Sequence, residues 1–429
     1  METHDLYSYF LKCSGITTDT RKITPDSLFF ALKGDNFDAN TFAAEALEKG
    51  ARYVVIDNPD VKKNENMLLV KDSLTALQDL ARHHRQELGL PVIALTGSNG
   101  KTTTKELINA VLSQKYNTVA TIGNLNNHIG VPLTLLSFTK NTEIGIVEMG
   151  ANHQKEIAFL CTIAEPNFGY ITNFGKAHLE GFGGYEGVIK GKSELYDYLT
   201  ENTKTAFVNL DDPIQKEKTV HLSRFTFAIN DYNCDVRIEA AEANPMVTIK
   251  YNGDTIKSHL IGIYNATNIS AAIAIGSHFK VSDSKIKKAI ENYVPTNNRS
   301  QLIAKNDNNI ILDAYNANPS SMKAAIENFI QLETESGSKL AILGDMFELG
   351  PESPAEHQKI VQSLIDEENI EVCFVGKDFY AFKTDAEHLH FYETYDDFKT
   401  SFLRLKPTGK TILIKGSRGM ALERTLDLI

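Results

Sequence analysis

The chain has 429 residues, of which 42% are hydrophobic and 23% are charged, a balance typical of soluble globular proteins and unlike that of disordered or fibrous chains. Acidic residues (55) outnumber basic residues (44), and the resulting net charge of −11 argues against nucleic acid as a general partner. The length predicts two or three domains.

The sequence shows no signal for export and no membrane span. The first residues, METHDLYSYF, lack the basic and apolar regions of a signal peptide, and no run approaches the ~18 apolar residues that cross a bilayer. The four cysteines (Cys13, Cys161, Cys234, Cys373) lie far apart without a CxxC pair. We therefore expect a cytoplasmic protein with reduced thiols and neither a disulfide nor a zinc framework.

The first predicted unit covers residues 1–88. Apolar runs at Ser27–Leu32 and Tyr53–Ile56 predict short strands, and apolar residues spaced along 74–84 predict a helix with one buried face. Gly89 and Pro91 then interrupt the chain, which places a boundary there.

The second predicted unit covers residues 89–296. It opens with the buried-strand pattern Val92–Thr96 and continues with strands at Ile144–Val147 and Gly169–Thr172, each followed by a helical stretch. Strands that alternate with helices predict parallel pairing and right-handed crossovers.

A polar, turn-rich joint at residues 294–298 leads into a third predicted unit, residues 297–429. Its predicted strands are Ile310–Leu312, Leu340–Leu343, Val372–Val375 and Thr411–Ile414. The fold class predicted for the whole chain is therefore α/β, with three domains and mostly parallel sheets.

The strongest motif is a glycine-rich loop between the strand Val92–Thr96 and a helical run ending at Leu112. A phosphate-binding loop needs glycines whose backbone N–H groups curl around phosphate, a lysine for the β/γ-phosphates and a hydroxyl for Mg²⁺. The pattern G-x-x-x-x-G-K-[ST] fails at its first glycine, where Leu95 stands, but the shorter T-G-x-N-G-K-T is present. The alternative is a strand-to-helix turn with no ligand. The candidate nucleotide-binding residues are Gly97, Ser98, Asn99, Gly100, Lys101, Thr102 and Thr103.

Two further side chains follow predicted strands. Glu148 ends the strand at 144–147, where a carboxylate beside a phosphate-binding loop could hold Mg²⁺, although such a residue is often only a solvated strand end. His178 follows the strand at 169–172 and could be a metal ligand, a base or a packed loop histidine. Lys192, by its spacing alone, has the pattern of a helix-surface lysine.

Together these motifs resemble the Mur ligase family. The shared segments are Thr96–Thr103, Glu148–Gly150, Asn173–Glu180, Lys192–Glu194 and Asn265–Asn268. Further segments resemble the family members that add a dipeptide, and they are Gly123–Thr134, Asp313–Met322, Leu343–Gly350 and Lys415–Met420. The resemblance covers almost the whole chain, with the motifs in the family's order.

The resemblance implies a nucleotide-sugar-binding domain at 1–88, a central ATPase at 89–296 and a C-terminal dinucleotide-fold-like ligase domain at 297–429. The implied activity is ATP-dependent ligation of D-alanyl-D-alanine to UDP-N-acetylmuramoyl-tripeptide through an acyl phosphate, a step of peptidoglycan precursor synthesis. The implied cofactors are ATP and two Mg²⁺ ions, and the implied partners are these small molecules, with the enzyme acting as a monomer.

The resemblance also implies roles for individual residues. Lys101 would contact the phosphates, Thr102 and Glu148 would hold one Mg²⁺, and His178 would hold a second. Lys192 would be carbamylated and would bridge toward that second ion, which makes Lys101, His178 and Lys192 the catalytic set. Asn268 would lie near the adenine, Asp313 would bind the ribose and Arg299 the phosphates.

Substrate-binding residues follow from the same resemblance. The uridine end would lie on Asp19, Thr20 and Arg21, and the muramoyl-peptide on Asn126 and Asn127. The incoming dipeptide would be lined by Asn316, Asn318, Asp345, Lys415, Ser417 and Arg418.

Two other functions remain open from the sequence. A related amide ligase that adds one amino acid to a muramoyl-peptide or a folate would share the phosphate-binding loop, Glu148 and His178. A nucleotide-dependent switch or binding module would use ATP without any acceptor amine. Release of ADP that depends on an acceptor amine separates a ligase from a switch.

Overall fold

The computed structural model describes residues 1–296, 298–333 and 338–429. The predicted joint at 294–298 and the predicted start of the third unit include Asn297, which lies outside the described residues. Within the described residues, no helix is long and apolar enough to cross a membrane.

The N-terminal region forms a small parallel sheet flanked by helices. Its elements are α1 (Thr3–Phe10), β1 (Ile16–Thr17), β2 (Leu28–Phe30), β3 (Lys33–Gly34), β4 (Phe37–Asp38), α2 (Ala43–Glu48), β5 (Tyr53–Ile56), β6 (Met67–Leu69) and α3 (Ser73–Leu88). The sheet has the order β1-β2-β5-β6, and β3 pairs with β4 as a separate antiparallel ribbon. Helix α3 begins where Asp72 accepts a hydrogen bond from the Thr75 amide and ends at Gly89, whose positive φ of 63° terminates the helix.

The central region contains the largest sheet. Its elements are β7 (Val92–Thr96), α4 (Lys101–Leu112), β8 (Thr118–Ala120), α5 (Gly130–Leu136), β9 (Ile144–Glu148), α6 (Glu156–Ala164), β10 (Phe168–Ile171), α7 (Leu179–Phe182), α8 (Tyr185–Glu201), β11 (Thr205–Asn209), α9 (Pro213–Lys218), β12 (Ser223–Ala228), β13 (Val236–Arg237), β14 (Ala240–Ala243), β15 (Met246–Tyr251), β16 (Asp254–Ile261), α10 (Asn265–His278) and α11 (Asp283–Asn292). Seven parallel strands take the order β13-β12-β11-β10-β7-β9-β8.

Helices cover both faces of this sheet, which explains why its central strands β7 and β9 are buried along their whole length. Along β7, Val92 and Ala94 pack in the cluster that includes residues of α6 and α8, whereas Ile93 and Leu95 pack against α4 and α10. A three-stranded antiparallel sheet of order β14-β15-β16, which the sequence patterns did not predict, adds its apolar residues to the second cluster.

The C-terminal region forms a six-stranded sheet. Its elements are β17 (Gln301–Lys305), β18 (Asn308–Asp313), α12 (Pro319–Gln331), β19 (Lys339–Gly344), α13 (Ser353–Gln362), β20 (Ile370–Val375), α14 (Lys377–Tyr380), β21 (Leu389–Tyr392), α15 (Tyr395–Leu405) and β22 (Thr411–Lys415). The order is β17-β18-β22-β19-β20-β21, and only the pairing of β17 with β18 is antiparallel. The predicted α/β class with mostly parallel sheets is confirmed.

Candidate active site

A cavity of about 1230 Å³ lies where the central and C-terminal sheets face each other. The loops after β7, β9 and β10 contribute one wall, and the segments that follow β18 and β19, together with the end of β22, contribute the other. Loops at the carboxyl ends of parallel strands are where open α/β sheets bind ligands. Sixteen of the residues predicted to bind nucleotide, metal or substrate line this cavity: Ser98, Asn99, Gly100, Lys101, Thr102, Thr103, Asn126, Asn127, Glu148, His178, Asn268, Arg299, Asp313, Asn316, Asn318 and Lys415.

The glycine-rich loop joins β7 to α4 as predicted. Gly100 precedes the helix with φ +78°, and Gly97 has φ +139°, which are conformations that side-chain-bearing residues rarely adopt. A Cβ on Gly97 would lie 2.0 Å from Thr172 Oγ1 of the neighbouring loop, so the loop fits only with glycine there. Gly97 itself is not part of the cavity lining.

Lys101 turns back onto the loop that precedes it. Its Nζ donates hydrogen bonds to the carbonyl oxygens of Gly97 at 2.7 Å and Ser98 at 3.2 Å. Burial lowers the pKa of Lys101, and the Glu148 carboxylate opposes that shift. The ammonium is therefore held at the mouth of the loop, beside the helix N-terminus to which phosphate would bind.

Asn268 of α10 packs against the opposite side of the loop. Its Oδ1 accepts a hydrogen bond from Thr104 Oγ1 at 3.0 Å, and its Nδ2 donates to Asn265 Oδ1 at 2.8 Å. A Cβ on Gly100 would lie 2.7 Å from Asn268 Oδ1. The asparagine is thus buried and fixed against the glycine that starts α4.

Glu148 lies at the end of β9, only 1% exposed. Its Oε1 accepts hydrogen bonds from Asn126 Nδ2 at 2.8 Å and Thr102 Oγ1 at 3.3 Å. Its Oε2 is buried and has no hydrogen-bond partner among the described residues. A buried carboxylate oxygen without a donor, beside a threonine hydroxyl, suits a Mg²⁺ ion.

The described residues contain no group of three or more His, Cys, Asp or Glu side chains that could hold a metal by themselves. Mg²⁺ is commonly bound by only one or two carboxylates, with water and substrate phosphates as its other ligands. Glu148 and Thr102 therefore fit one such ion.

Lys192 of α8 is fully buried, in contrast to the surface position that its spacing predicts. Its Nζ donates a hydrogen bond to the Ala151 carbonyl at 3.0 Å and lies 4.9 Å from the centre of the Phe182 ring. Burial, reinforced by the positive charge of Lys101, lowers the pKa of Lys192 well below its ordinary value of 10.5. It does not line the cavity in this structure.

The C-terminal wall carries a second set of charged groups. Asp313, at the end of β18, accepts hydrogen bonds from Lys415 Nζ at 2.5 Å and from the Ser300 amide at 3.1 Å. The Arg299 guanidinium lies over the Tyr315 ring, with 3.6 Å between Cζ and the ring centre, and its buried Nε has no hydrogen-bond partner among the described residues. An unpartnered guanidinium nitrogen in a cavity is suited to an anionic ligand.

Hydrogen bonds join the central wall of the cavity to the C-terminal wall. Asn318 Nδ2 donates a hydrogen bond to Asn99 Oδ1 at 2.7 Å, and Ser320 Oγ accepts one from the Lys176 amide at 2.9 Å. Lys176 also pairs with Glu356 at 2.7 Å.

His178 and Glu348 make a further contact across the same boundary, between His178 Nδ1 and Glu348 Oε2. The hydrogen bond with His178 holds the pKa of the Glu348 carboxyl below its ordinary range. The sequence patterns indicate no role for Lys176, Glu348 or Glu356. Glu348 lies within the segment Leu343–Gly350, but its partner is 170 positions away.

Three residues predicted for the dipeptide do not line the cavity. Asp345 is buried and accepts hydrogen bonds from the amides of Asp378 and Phe379, each at 3.0 Å, which fixes the start of α14. Ser417 accepts one from the Phe347 amide at 2.8 Å, and the Arg418 guanidinium pairs with Glu423.

The residues predicted for the uridine lie at a separate, smaller cavity of about 410 Å³, lined by Thr18, Asp19, Thr20, Arg21, Phe29, Phe37, Ala39 and Phe42. There Arg21 Nε donates to Asp19 Oδ1 at 2.9 Å, and this hydrogen bond lowers the pKa of Asp19 to about 2.

Comparison with known families gives three matches along the chain. The Mur ligase family catalytic domain matches residues 12–85, the Mur ligase middle domain matches residues 95–276, and the Mur ligase glutamate ligase domain matches residues 298–418.

Individual relatives match over nearly the full length. The UDP-N-acetylmuramoyl-tripeptide–D-alanyl-D-alanine ligase of Bacillus subtilis is 38% identical, with 97% of this chain and 93% of the relative covered. The enzyme of the same name from Escherichia coli is 36% identical, with 96% and 92% covered.

Solved structures of MurF enzymes also superpose on this chain over nearly its full length. A crystal structure of MurF from Acinetobacter baumannii superposes with a TM-score of 0.87 at 31% identity, covering 99% of this chain and 98% of that one. MurF ligase from Thermotoga maritima in complex with ADP superposes with a TM-score of 0.84 at 26% identity, covering 98% and 97%.

Proposed function

The chain belongs to the Mur ligase family, and we propose that it joins D-alanyl-D-alanine to UDP-N-acetylmuramoyl-tripeptide at the expense of ATP, giving the pentapeptide precursor of peptidoglycan. The observation that carries this proposal is the full-length similarity to ligases of that name, combined with one cavity that holds both the phosphate-binding loop and the C-terminal wall.

The reaction has two steps. An oxygen of the tripeptide's terminal carboxylate attacks the γ-phosphorus of ATP, the bond to the bridging oxygen breaks, and ADP leaves with an acyl phosphate formed. The amine of D-alanyl-D-alanine then attacks the acyl carbon, loses a proton, and expels phosphate that carries one of the former carboxylate oxygens.

The first step requires two anions to approach each other, so positive charge and oriented N–H groups must offset their repulsion. Lys101 and the backbone amides of the loop and of the start of α4 supply both on the central wall, and Arg299 supplies a cation from the C-terminal wall. A Mg²⁺ ion on Glu148 and Thr102, when bound, would neutralise charge on the transferring phosphoryl group. Asn268 would lie near the adenine and Asp313 near the ribose.

We propose that the neutral amine of Lys192 adds carbon dioxide and loses a proton to become a carbamate, and that this carbamate, with His178, would serve a second Mg²⁺. Carbamylation needs a neutral amine, and the burial of Lys192 and its proximity to Lys101 favour that form. The carbamate would replace a cation by an anionic oxygen ligand of the kind that Mg²⁺ prefers. Loss of activity in Lys192→Ala with recovery on adding short carboxylates supports this role, and full activity of the variant contradicts it.

We propose roles in substrate binding for the remaining predicted residues. Asn126 and Asn127 line the cavity and would contact the tripeptide, whereas Asn316, Asn318 and Lys415 line the C-terminal wall, where the dipeptide would enter. Asp345, Ser417 and Arg418 would act from behind that wall by holding its loops. Asp19, Thr20 and Arg21 would take the uridine in the smaller cavity.

We further propose units at 1–88, 89–296 and 297–429, with the third closing on the second to keep water from the acyl phosphate. The enzyme would act as a monomer in the cytoplasm, where ATP is abundant. Small-angle scattering that shows no compaction with nucleotide and both substrates would contradict closure.

The function is tested by measuring ADP release from the purified protein with Mg-ATP and UDP-N-acetylmuramoyl-tripeptide, with and without D-alanyl-D-alanine. The proposal predicts that continued release, beyond one ADP per enzyme molecule, requires the dipeptide, and that Lys101→Ala releases little ADP. Release that requires a single amino acid instead indicates a related ligase, and release indifferent to any acceptor indicates a nucleotide switch.

A further inference from the structure

His178 and Glu348 meet across the boundary between the two walls of the cavity, and both line it. His178 follows β10 of the central sheet, whereas Glu348 follows β19 of the C-terminal sheet. We infer that Glu348 is a positioning residue that fixes the ring of His178 only when the C-terminal region is seated on the central region. The inference rests on the proposed function, in which His178 would serve a second Mg²⁺.

The backbones on both sides hold this contact in place. His178 has φ +53° and Glu348 has φ +64°, so both are non-glycine residues in the left-handed region. The Glu180 amide donates a hydrogen bond to the Glu348 carbonyl at 3.2 Å, and a Cβ on Gly350 would lie 3.1 Å from Cβ of Glu180. Unfavourable backbone conformations persist where the surrounding contacts impose them, and such positions concentrate at functional sites.

The chemistry of the pair determines which ring nitrogen is left free. A carboxylate only accepts hydrogen bonds, so His178 Nδ1 must carry the proton that it donates to Glu348. In the neutral ring, Nε2 then bears the lone pair, and Nε2 makes no hydrogen bond with any residue in the described part of the chain. Glu348 thus presents His178 with Nε2 ready to accept a proton or a cation.

The exposure of the two side chains indicates that their contact adds little to the stability of the interface between the two walls. The Glu348 side chain is 54% exposed and that of His178 is 21% exposed, and ion pairs this accessible to water stabilise a fold little. The neighbouring pair of Lys176 with Glu356 crosses the same boundary with a Glu356 side chain only 8% exposed. Glu356 is therefore the better candidate for holding the walls together. Glu356→Gln is a matched control, because the glutamine oxygen can still accept the hydrogen bond from Lys176 and so keep the walls joined.

The test compares Glu348→Ala and Glu348→Gln with Glu356→Gln. Removal of Glu348 is expected to lower kcat for pentapeptide formation by about 10–100-fold, with the larger loss in the alanine variant and with the KM for ATP changed by less than about threefold. The melting temperature should fall by no more than about 2 °C. Glu356→Gln is expected to retain the parent's ring tautomer at His178 and to lower kcat by less than about threefold, because it leaves the contact with His178 in place.

A second readout needs neither activity nor metal. In the ligand-free protein labelled with ¹⁵N-histidine, the signals of His178, assigned with His178→Asn, should show the Nδ1–H form in the parent and in Glu356→Gln, and a shift toward the Nε2–H form in Glu348→Ala. An unchanged tautomer in Glu348→Ala, or a kcat within about twofold of the parent, would overturn the inference, as would an equal loss in Glu356→Gln. A parent that forms no pentapeptide while its His178 tautomer depends on Glu348 would instead refute the proposed function.

Discussion

Asn318 donates a hydrogen bond from its side-chain amide to the side-chain oxygen of Asn99, at 2.7 Å, and so joins the start of α12 to the glycine-rich loop. Asn318 also caps α12, because its Oδ1 accepts a hydrogen bond from the Ser321 amide at 2.9 Å. One residue of the C-terminal region therefore sets the beginning of a helix and contacts the loop that would hold phosphate. This contact supports a site in which nucleotide and C-terminal wall act together.

Gly100→Ala is predicted to weaken ATP binding by at least about tenfold. The added Cβ would lie 2.7 Å from Oδ1 of Asn268, whose hydrogen bonds with Thr104 and Asn265 resist displacement. Gly89→Ala is the matched control, since Gly89 also has a positive φ but no described residue, apart from its two chain neighbours, lies within 4 Å of its Cβ position. Calorimetric titration with a nonhydrolysable ATP analogue should find a normal affinity for Gly89→Ala; equal affinities in the two variants would contradict a close approach at Gly100.

Glu148→Gln is predicted to lower kcat by about 100–1,000-fold while changing the free energy of unfolding by no more than about 1 kcal/mol. The glutamine can keep the hydrogen bond with Asn126, and it removes a buried charge whose second oxygen has no partner among the residues that the structure describes. Urea unfolding and steady-state kinetics measure the two quantities. A variant that is both active and as stable as the parent would exclude a metal-binding role for Glu148.

Arg299→Ala is predicted to raise the KM for ATP by about tenfold or more, because the cavity loses a charged group whose Nε has no partner in the described part of the chain. Arg424→Ala removes a similar arrangement, with Cζ 3.5 Å from the centre of the Tyr395 ring, but Arg424 is not part of the cavity lining. Its KM should stay within about twofold of the parent value. A comparable increase in both variants would mean that the loss of stacking, and not of an anion contact, weakens binding.

His84 is predicted to make the stability of the protein depend on pH below about 6.5. It is 4% exposed, its Nε2 lies 2.9 Å from the Phe138 carbonyl and its Nδ1 lies 3.2 Å from the Tyr7 hydroxyl. Burial lowers the pKa of His84, so the unfolded chain takes up the proton at a higher pH than the folded chain. The corresponding stability is present above the unfolded pKa and is lost as the pH falls through the folded pKa.

The measurement is urea unfolding at pH 7 and pH 5. The parent should lose more free energy of unfolding than His84→Gln over this interval, by about 1 kcal/mol for each unit by which the pKa is lowered. His259→Gln, which removes an exposed histidine, should follow the parent. If the parent and His84→Gln lose stability equally, His84 is not the group responsible.

Features set by local sequence were predictable. The apolar run Tyr53–Ile56 is strand β5 with the same bounds, and the loop from Gly97 to Lys101 joins β7 to α4 as its glycines and lysine predict. Both depend on nearest neighbours along the chain: burial of consecutive apolar side chains in one case, and conformational freedom at glycine in the other.

Features set by contacts between distant segments were not predictable from patterns. Lys192 has the spacing of a surface lysine because its neighbours on α8 are polar, yet Phe182 and the segment at Ala151 cover it. The pairing of His178 with Glu348 joins residues 170 positions apart, and neither residue's surroundings in the sequence indicate the other. Such contacts depend on how the sheets pack against each other, and the spacing of apolar residues along the chain does not determine that packing.

The central claim, that a carboxylate is activated by ATP and then captured by a dipeptide amine, is tested most directly with isotopic oxygen. UDP-N-acetylmuramoyl-tripeptide labelled with ¹⁸O in its terminal carboxylate is incubated with the protein, Mg-ATP and D-alanyl-D-alanine, and the product and the released phosphate are analysed by mass spectrometry. The account predicts a product that has gained the dipeptide by an amide bond and phosphate that carries one ¹⁸O per turnover. Phosphate without ¹⁸O, or ADP release without the pentapeptide, would contradict it.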